Sequence, residues 1–515
     1  MAESGLTVDQ KVKDGRNKYA FACSFIASFI SVLMGYDTGV MSGAMLFIQE
    51  DLKATDGQIQ VLAGILNACA LVGSLTAGRL SDWIGRRYTI VVGAAIFFLG
   101  SLLMGLGLNL AMLMAGRCVA GVGVGYALMI APVYSVEVSS PSSRGCLSSL
   151  PEICISIGIL FGYLSNYIFG KLPLIYGWRL MLGVGMVPSV ALVFSIFAMP
   201  ESPRWLVMQG HIKDARDVLQ RVSNTKEEAE RRLEDIKATV GIDRSSTEDV
   251  VQVVSKHHGE GVWKELLRPT PTVRRILTAT IGIHIFQHAT GIEAIVLYSP
   301  RIFKKAGLVT KNQQFLATIG VGVFKTLFIL VAILLVDKAG RRKLLLTSLS
   351  GMILSLTGLG TVLTLVKHSQ EKLLWAEVSC VVFVFSFVTS FSIGLGPVTW
   401  VYCSEIFPLR LRAQGTSLGV AINRLMNSAM SMSFISLYKA ITIGGAFFLL
   451  AGIGVIAWAF YFFYCPETKG RALEEEMEQV FNKGSNTKPR NKQEDEKEGV
   501  ETGKLDDAKV NTETY

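Results

Sequence analysis

Long unbroken runs of apolar residues constrain this chain more than any other feature. Residues 58–78, 88–115 and 443–464 hold no charged side chain at all. Runs at 20–46, 113–136, 146–170, 180–199, 276–300, 315–336, 344–366, 375–403 and 414–438 hold few. A helix needs about 20 apolar residues to cross a bilayer. Lipid leaves no water to satisfy the backbone, so such runs span as helices. These runs make twelve candidate spans in two sets of six. The expected fold is an all-α integral membrane protein of two six-helix bundles.

Only 18% of the 515 residues are charged. Most Lys and Arg lie in short segments between spans: 11–18, 79–87, 200–275, 337–343 and 410–412. The positive-inside rule puts these segments, and both termini, in the cytoplasm. The net charge of +9 therefore reads as membrane orientation and not as a nucleic-acid surface. Residues 1–18 are polar and the first apolar run is too long for a cleavable signal. The eight Cys form no CxxC pair and read as packing residues, so no metal site and no cofactor is expected.

The expected divisions are a cytoplasmic N-terminus (1–19), a first bundle (20–199), a cytoplasmic helical linker (200–273), a second bundle (274–465) and a cytoplasmic tail (466–515). Helical composition in the linker falls at 213–221 and 226–238. Residues 470–481 suit an amphipathic helix. The tail from about 483 is charged and poor in aromatics, and is expected to be disordered.

The two bundles carry matching motifs. Asp82-Trp83-Ile84-Gly85-Arg86-Arg87 follows the second span, and Asp337-Lys338-Ala339-Gly340-Arg341-Arg342 follows the eighth. Glu137 and Arg144 follow the fourth span; Glu405, Arg410 and Arg412 follow the tenth. Pro200-Glu201-Ser202-Pro203-Arg204 follows the sixth; Pro466-Glu467-Thr468-Lys469-Gly470-Arg471 follows the twelfth. Duplicated halves are the plan of transporters that rock around a midplane site. Arg pairs with carboxylates through a planar fork. These carboxylates and arginines are therefore expected to form a cytoplasmic gate, with charge pairs joining the halves in one state. Positive-inside anchoring is the alternative reading.

Ionisable groups at membrane depth are costly and mark function. Asp37, Arg117, Glu152, Glu293, Lys325 and Arg424 lie inside the spans, as do His284 and His288.

The motifs quoted above, with Gly35-Tyr36-Asp37-Thr38-Gly39 and Gly394-Leu395-Gly396-Pro397-Val398-Thr399-Trp400, resemble the sugar porter family of the major facilitator superfamily. The resemblance runs from about residue 19 to 481. Trp178 to Gly183, Met199 to Gln209, Leu267 to Arg275 and Pro408 to Arg412 are similar to the plant polyol/monosaccharide transporters. It implies proton-driven uptake of polyols (sorbitol, mannitol, xylitol, inositol) and some monosaccharides at the plasma membrane, by a monomer.

It also implies roles. Asp37 and Arg117 match the proton-coupling Asp and Arg of such carriers. A carboxylate beside an arginine stays ionised, and one left alone in a dry site takes a proton. A structural ion pair locking two helices is the alternative. Gln287, Trp400, Asn423 and Asn427 match substrate positions. Carboxamides offer a donor and an acceptor to neighbouring hydroxyls, and an indole offers an apolar face. Asn423 and Asn427, four residues apart, share a helix face.

Other positions depart from the hexose carriers. His288 replaces a second Gln, Glu293 an Asn, Glu152 a Gln, Lys325 an Asn and Ser392 a Glu. Glu152, His288, Glu293 and Lys325 join the expected substrate site, with Glu293 and Lys325 as a buried ion pair. Arg424 is expected to face a neighbouring helix.

Gly121-Val122-Gly123-Val124-Gly125 lies inside an apolar run and reads as helix packing, not as a phosphate loop. Pro132, Pro151 and Pro397 are expected to bend or break spans near the cavity, and Phe460 to Phe463 to face lipid. The function expected is proton symport of a polyol. The alternatives are a facilitative uniporter and a membrane solute sensor. No nucleophile–base set suggests an enzyme.

Overall fold

The structure, a computed structural model, describes residues 17–139, 147, 149–240, 242, 266, 268–368, 374–407 and 409–468. Among the described residues, ten helical segments are long and apolar enough to cross a membrane. The first six crossings are Lys18–Asp51, Asp56–Ile84, Arg86–Gly105, Leu110–Val138, Leu150–Phe169 and Leu174–Ile196. The eighth, ninth, tenth and twelfth are Lys311–Ala339, Arg341–His368, Leu374–Ile406 and Ile443–Tyr464. Two more complete the set of twelve. The seventh is Pro271–Ala289 continued by Ile292–Ala306, broken at Gly291 in the left-handed region (φ +92°). The eleventh is Leu409–Ile441. Asn423, Arg424 and Asn427 make it too polar to pass on hydropathy alone.

The apolar run 88–115 is not one span. The third crossing ends at Gly105, and Asn109 caps the fourth by accepting from the Met112 N–H. Hydropathy cannot see this cap inside a stretch that carries no charge.

The starts of equivalent crossings are built alike. Thr55 and Gln58 form a capping box on the second crossing; Thr310 and Gln313 form the same box on the eighth. Each box satisfies two orphan N–H groups of the first turn.

Small residues bring backbones together inside the first half. A Cβ on Gly35 would lie 2.0 Å from the Ile155 carbonyl oxygen, and one on Gly39 would lie 2.3 Å from that of Ile159. The fifth crossing answers with Gly158, where a Cβ would lie 2.3 Å from the Val32 carbonyl. Gly121 and Gly125 meet the second crossing at the Leu66 and Ala70 carbonyls in the same way. This glycine run is a packing face, as its apolar context indicates.

Between the halves run Pro203–Met208, Ile212–Val222 and Lys226–Val240. Arg232 on the last donates to the carbonyls of Glu137, Val138 and Ser139. The linker thereby caps the end of the fourth crossing. The expected helix at 470–481 and the disorder from about 483 lie outside the described residues.

Two expectations need correction. Along Phe460–Phe463, Tyr461 is fully buried and Phe460 packs on Phe286, while Phe462 and Phe463 face outward. Successive helical residues point about 100° apart, so four in a row never share one face. Pro151 stands at the start of the fifth crossing, where a missing N–H costs nothing, and does not bend its middle.

Candidate functional site

On the linker face the paired motifs form two copies of one brace. The Arg86 guanidinium grips Glu137 through Nε (3.0 Å) and Nη2 (3.2 Å), and reaches Asp82 through Nη1 (3.2 Å). The Glu201 carboxylate accepts from the backbone N–H groups of Arg86 (2.9 Å) and Arg87 (3.2 Å). It thus caps the third crossing with a negative charge at the positive end of its dipole. Burial raises the Glu201 pKa, and these N–H groups and the Arg86 charge pull it back. Ser202 Oγ donates to Glu137 at 2.6 Å.

The second half repeats this with Arg341 on Glu405 (2.8 Å), Glu467 on the N–H groups of Arg341 and Arg342 (2.8 and 3.2 Å), and Thr468 on Glu405 (2.6 Å). Gly85 and Gly340 have φ of +94° and +91°. A Cβ would strike Glu201 Oε2 at 2.4 Å and Glu467 Oε2 at 2.8 Å. The Gly in each Gly-Arg-Arg motif is therefore fixed by backbone conformation and by the carboxylate above it.

These described contacts all stay within one half. The expected charge pairs between halves are not among them. Arg204 is exposed. Arg144 and the side chains of Asp337, Arg410 and Arg412 lie outside the described residues.

The halves are joined at the opposite face instead. Asp56 pairs with Lys439 and lies 3.6 Å from Arg301 Nη1. Arg301 Nη2 donates to Gln49 at 2.6 Å, and Lys311 pairs with Glu50 at 3.0 Å. Deeper in, Gln60 exchanges two hydrogen bonds with Ser436 (2.9 and 3.0 Å), and Ser428 donates to the Gly64 carbonyl at 3.0 Å. Tyr163 donates to the Val296 carbonyl at 2.7 Å. The face away from the linker is closed. None of the far-face polar residues stands out in the sequence, because charges at helix ends look the same whether they pair or merely anchor.

In the first half, Arg117 Nη1 donates to both Asp37 oxygens at 2.9 and 2.8 Å. Its Nε donates to the Leu62 carbonyl at 3.0 Å and Nη2 to that of Ala63 at 3.4 Å. Both side chains are almost fully buried. The pair ties the first, second and fourth crossings together, and Gly35 and Gly39 seat Asp37 on either side.

The second half supplies a polar chain. Asn423 Nδ2 donates to Gln287 Oε1 at 2.7 Å and lies 3.3 Å from His284 Nδ1. Gln287 Nε2 reaches the carbonyls of Leu395 and Gly396 at 3.4 and 3.3 Å, where the tenth crossing breaks. Asn427 Nδ2 donates to Glu293 Oε1 at 2.7 Å. Asn423 and Asn427 thus face the seventh crossing together. His288 Nδ1 lies 3.4 Å from Glu293 Oε1 without hydrogen-bond alignment. Trp400 meets His284 edge-on at 5.4 Å, and its indole N–H makes no hydrogen bond. Glu152, from the other half, lies beside that indole and within electrostatic reach of Lys325, Arg424 and His288. Ser392 is buried with an unbonded hydroxyl.

The expected Glu293–Lys325 ion pair is not formed. Lys325 sits over the Phe391 ring at 5.2 Å, and Glu293 takes its contacts from Asn427 and His288. A double-mutant cycle on thermal stability will show this. Glu293→Gln with Asn427→Ala will couple by about 1.5–3 kcal/mol, the worth of a hydrogen bond to a charge. Glu293→Gln with Lys325→Met will couple by less.

Arg424 does not face away from the site. It is buried and bonds to Asn423 through Nε and Nη2. Its proximity to Asn423 in sequence suggested a different face, but a long guanidinium arm folds back to reach its neighbour. Among the described residues no group of His, Cys, Asp and Glu is placed to hold a metal.

Residues 23–481 match the family model described as "Sugar (and other) transporter". Probable polyol transporter 6 of Arabidopsis thaliana is 62% identical over 91% of this chain and 95% of its own length. Polyol transporter 5 of the same plant is 59% identical over 92% and 89%. The solved proton:xylose symporter XylE bound to 6-bromo-6-deoxy-D-glucose superposes with a TM-score of 0.74 at 25% identity, covering 90% of this chain and all of that one. A partially occluded inward-open form of the xylose transporter XylE from E. coli gives 0.74 at 24% identity, over 88% of this chain. These relatives are transporters, not enzymes. With its two braced halves and twelve crossings, the chain belongs to the sugar porter family of the major facilitator superfamily, and it is a sugar or polyol transporter.

Proposed function

We propose that the protein is a proton-coupled symporter that imports polyols such as sorbitol, mannitol, xylitol and inositol, with some monosaccharides, by alternating access. The buried Asp37–Arg117 pair carries this reading. Each of these charges costs several kcal/mol to desolvate in a dry bundle, and a carboxyl that takes up and releases the coupled proton accounts for that cost. Asp37 takes the proton when Arg117 lets go, and gives it up when the pair re-forms.

The substrate meets charged groups more than amides. Glu152 and Glu293 accept from ligand hydroxyls, and Lys325 and the Trp400 indole donate. Gln287, Asn423 and Asn427 spend part of their hydrogen-bonding capacity on the protein and offer the remainder to the ligand. A flexible chain of vicinal hydroxyls satisfies such an alternating set, since each hydroxyl both donates and accepts. The polyol names of the plant relatives support this choice.

The basic linker face is cytoplasmic by the positive-inside rule, so a closed far face makes this the inward-facing state, at the plasma membrane. The braces hold each half rigid while the far-face contacts open and close.

The test is uptake of labelled sorbitol by purified protein in liposomes, with and without an inward proton gradient. Unlabelled mannitol, myo-inositol, xylitol, glucose and fructose compete in the same assay. Accumulation that collapses with a protonophore supports symport. Uptake that only equilibrates would make the protein a uniporter and Asp37–Arg117 a structural pair.

A further inference from the structure

Arg424 stands in an unusual position for a buried cation. Its Nε lies 3.1 Å from Asn423 Oδ1, and Nη2 bonds the same oxygen. The third nitrogen, Nη1, is buried with no partner at all. Glu152 and Glu293 are both within electrostatic reach, yet neither comes close enough to form an ion pair. A buried guanidinium ordinarily seeks a carboxylate, and an unmet buried N–H costs about 1–3 kcal/mol. Here the side chain forgoes the acid and leaves a donor unmet to keep two nitrogens on one amide oxygen.

That hold has a consequence along the chain of amides. With Oδ1 taken by Arg424, the Asn423 amide has one orientation, with Nδ2 toward the seventh crossing. Nδ2 then requires an acceptor, and Gln287 Oε1 supplies it at 2.7 Å. This turns Gln287 Nε2 to the carbonyls of Leu395 and Gly396. It also places Nδ2 beside His284 Nδ1 at 3.3 Å, which sets that nitrogen as the acceptor and puts the proton of the neutral ring on Nε2. One guanidinium thereby fixes the polarity of Asn423, Gln287 and His284 across the seventh, tenth and eleventh crossings.

We propose that Arg424 is a positioning residue for substrate recognition: it fixes the direction of the Asn423–Gln287 hydrogen-bond chain, and so decides which donors and acceptors the second half shows to the ligand. This rests on the polyol-transport reading above. Lys cannot replace Arg in this role. An ammonium keeps the charge, but it offers no fixed pair of nitrogens to one oxygen.

The experiment compares wild type, Arg424→Lys and Arg424→Gln in liposomes, with sorbitol as the labelled substrate and glucose as the competitor. Each variant is first checked for an unaltered size-exclusion profile and thermal midpoint. Both variants are expected to raise the KM for sorbitol at least about tenfold, the loss of one hydrogen bond to a charge. Maximal rate should hold, and the preference for sorbitol over glucose should narrow. Failure of Lys to rescue is the distinguishing result. A Lys variant with wild-type KM and preference would reduce Arg424 to a counter-charge and overturn the proposal.

Should either Arg424 variant lose its fold, Asn423→Ala gives the second route. That change removes the oxygen Arg424 holds, and the same rise in KM and narrowed preference are expected. Wild-type values in Asn423→Ala would overturn the proposal. Wild type that takes up no polyol would fell the transport reading and this inference together, whereas wild-type uptake with unchanged variants fells this inference alone.

Discussion

Asp37→Asn will abolish concentrative uptake while leaving exchange of substrate down its gradient. The substitution keeps the size of the side chain, and it keeps an oxygen for Arg117 Nη1 to bond at the distances near 2.9 Å seen here. What it removes is the ability to take and release a proton. Intracellular or intravesicular sorbitol should then rise only to the external level, and a protonophore should change nothing. The measurement is labelled sorbitol at steady state and, separately, counterflow in vesicles preloaded with unlabelled sorbitol. Counterflow should persist. Accumulation above equilibrium in Asp37→Asn would exclude Asp37 as the proton carrier and leave the pair a structural one. Arg117→Leu makes the converse case. It removes the cation from Asp37 and also strips the Leu62 and Ala63 carbonyls of their donors, whereas Asp37→Asn leaves those bonds in place; losing one partner of a buried pair costs about 3–5 kcal/mol. Its thermal midpoint should fall well below that of Asp37→Asn.

Gly39→Val is expected to lower stability and abolish transport. The new Cβ lies 2.3 Å from the Ile159 carbonyl oxygen, a backbone atom that yields only if the whole fifth crossing moves. Overpacking of this kind costs about 1–3 kcal/mol. It also displaces Asp37, two residues away, from its seat against Arg117. Gly452→Ala in the twelfth crossing is the control, because a Cβ there meets nothing within 4 Å. Alanine in an exposed helix position improves on glycine by about 1 kcal/mol, so this control should hold or raise the midpoint. Size-exclusion of the detergent-solubilised protein against temperature reads both. If Gly39→Val melts with wild type and transports normally, the first and fifth crossings do not meet as closely as described.

The crossings were legible because lipid imposes a length and a polarity on every one of them. Two details escaped hydropathy: the Asn109 cap inside an uncharged run and the break at Gly291. Each depends on backbone conformation or on partners from other helices. The repeated motifs announced two matched halves. Their pairing did not follow from the repeat, since Arg86 with Glu137 and Arg341 with Glu405 close within a half. A sequence shows that an acid and a base belong together, but not on which side of an interface they meet. Asp37 with Arg117 was readable because two opposite charges at membrane depth have few other ways to be stable. Glu293 with Lys325 followed the same logic and failed, because a neutral amide from Asn427 reached the carboxylate first. The role of Arg424 is not legible in the sequence because its neighbour in the chain is also its partner in space, a relation that helical wheels do not display.

The far-face closure carries one further consequence. Asp56 with Lys439 and Glu50 with Lys311 are partly exposed pairs, each worth at most about 1 kcal/mol. Mobile ions weaken such contacts within a screening length of about 8 Å at ordinary ionic strength, and further at high salt. The Asp37–Arg117 pair, sealed in the bundle, is out of reach of those ions. On the orientation and coupling proposed above, salt at the far face therefore acts on which way the empty carrier faces and leaves the Asp37–Arg117 pair untouched. A carrier whose far face is bathed in brine would stand open on that side more of the time, a bias set by the medium alone.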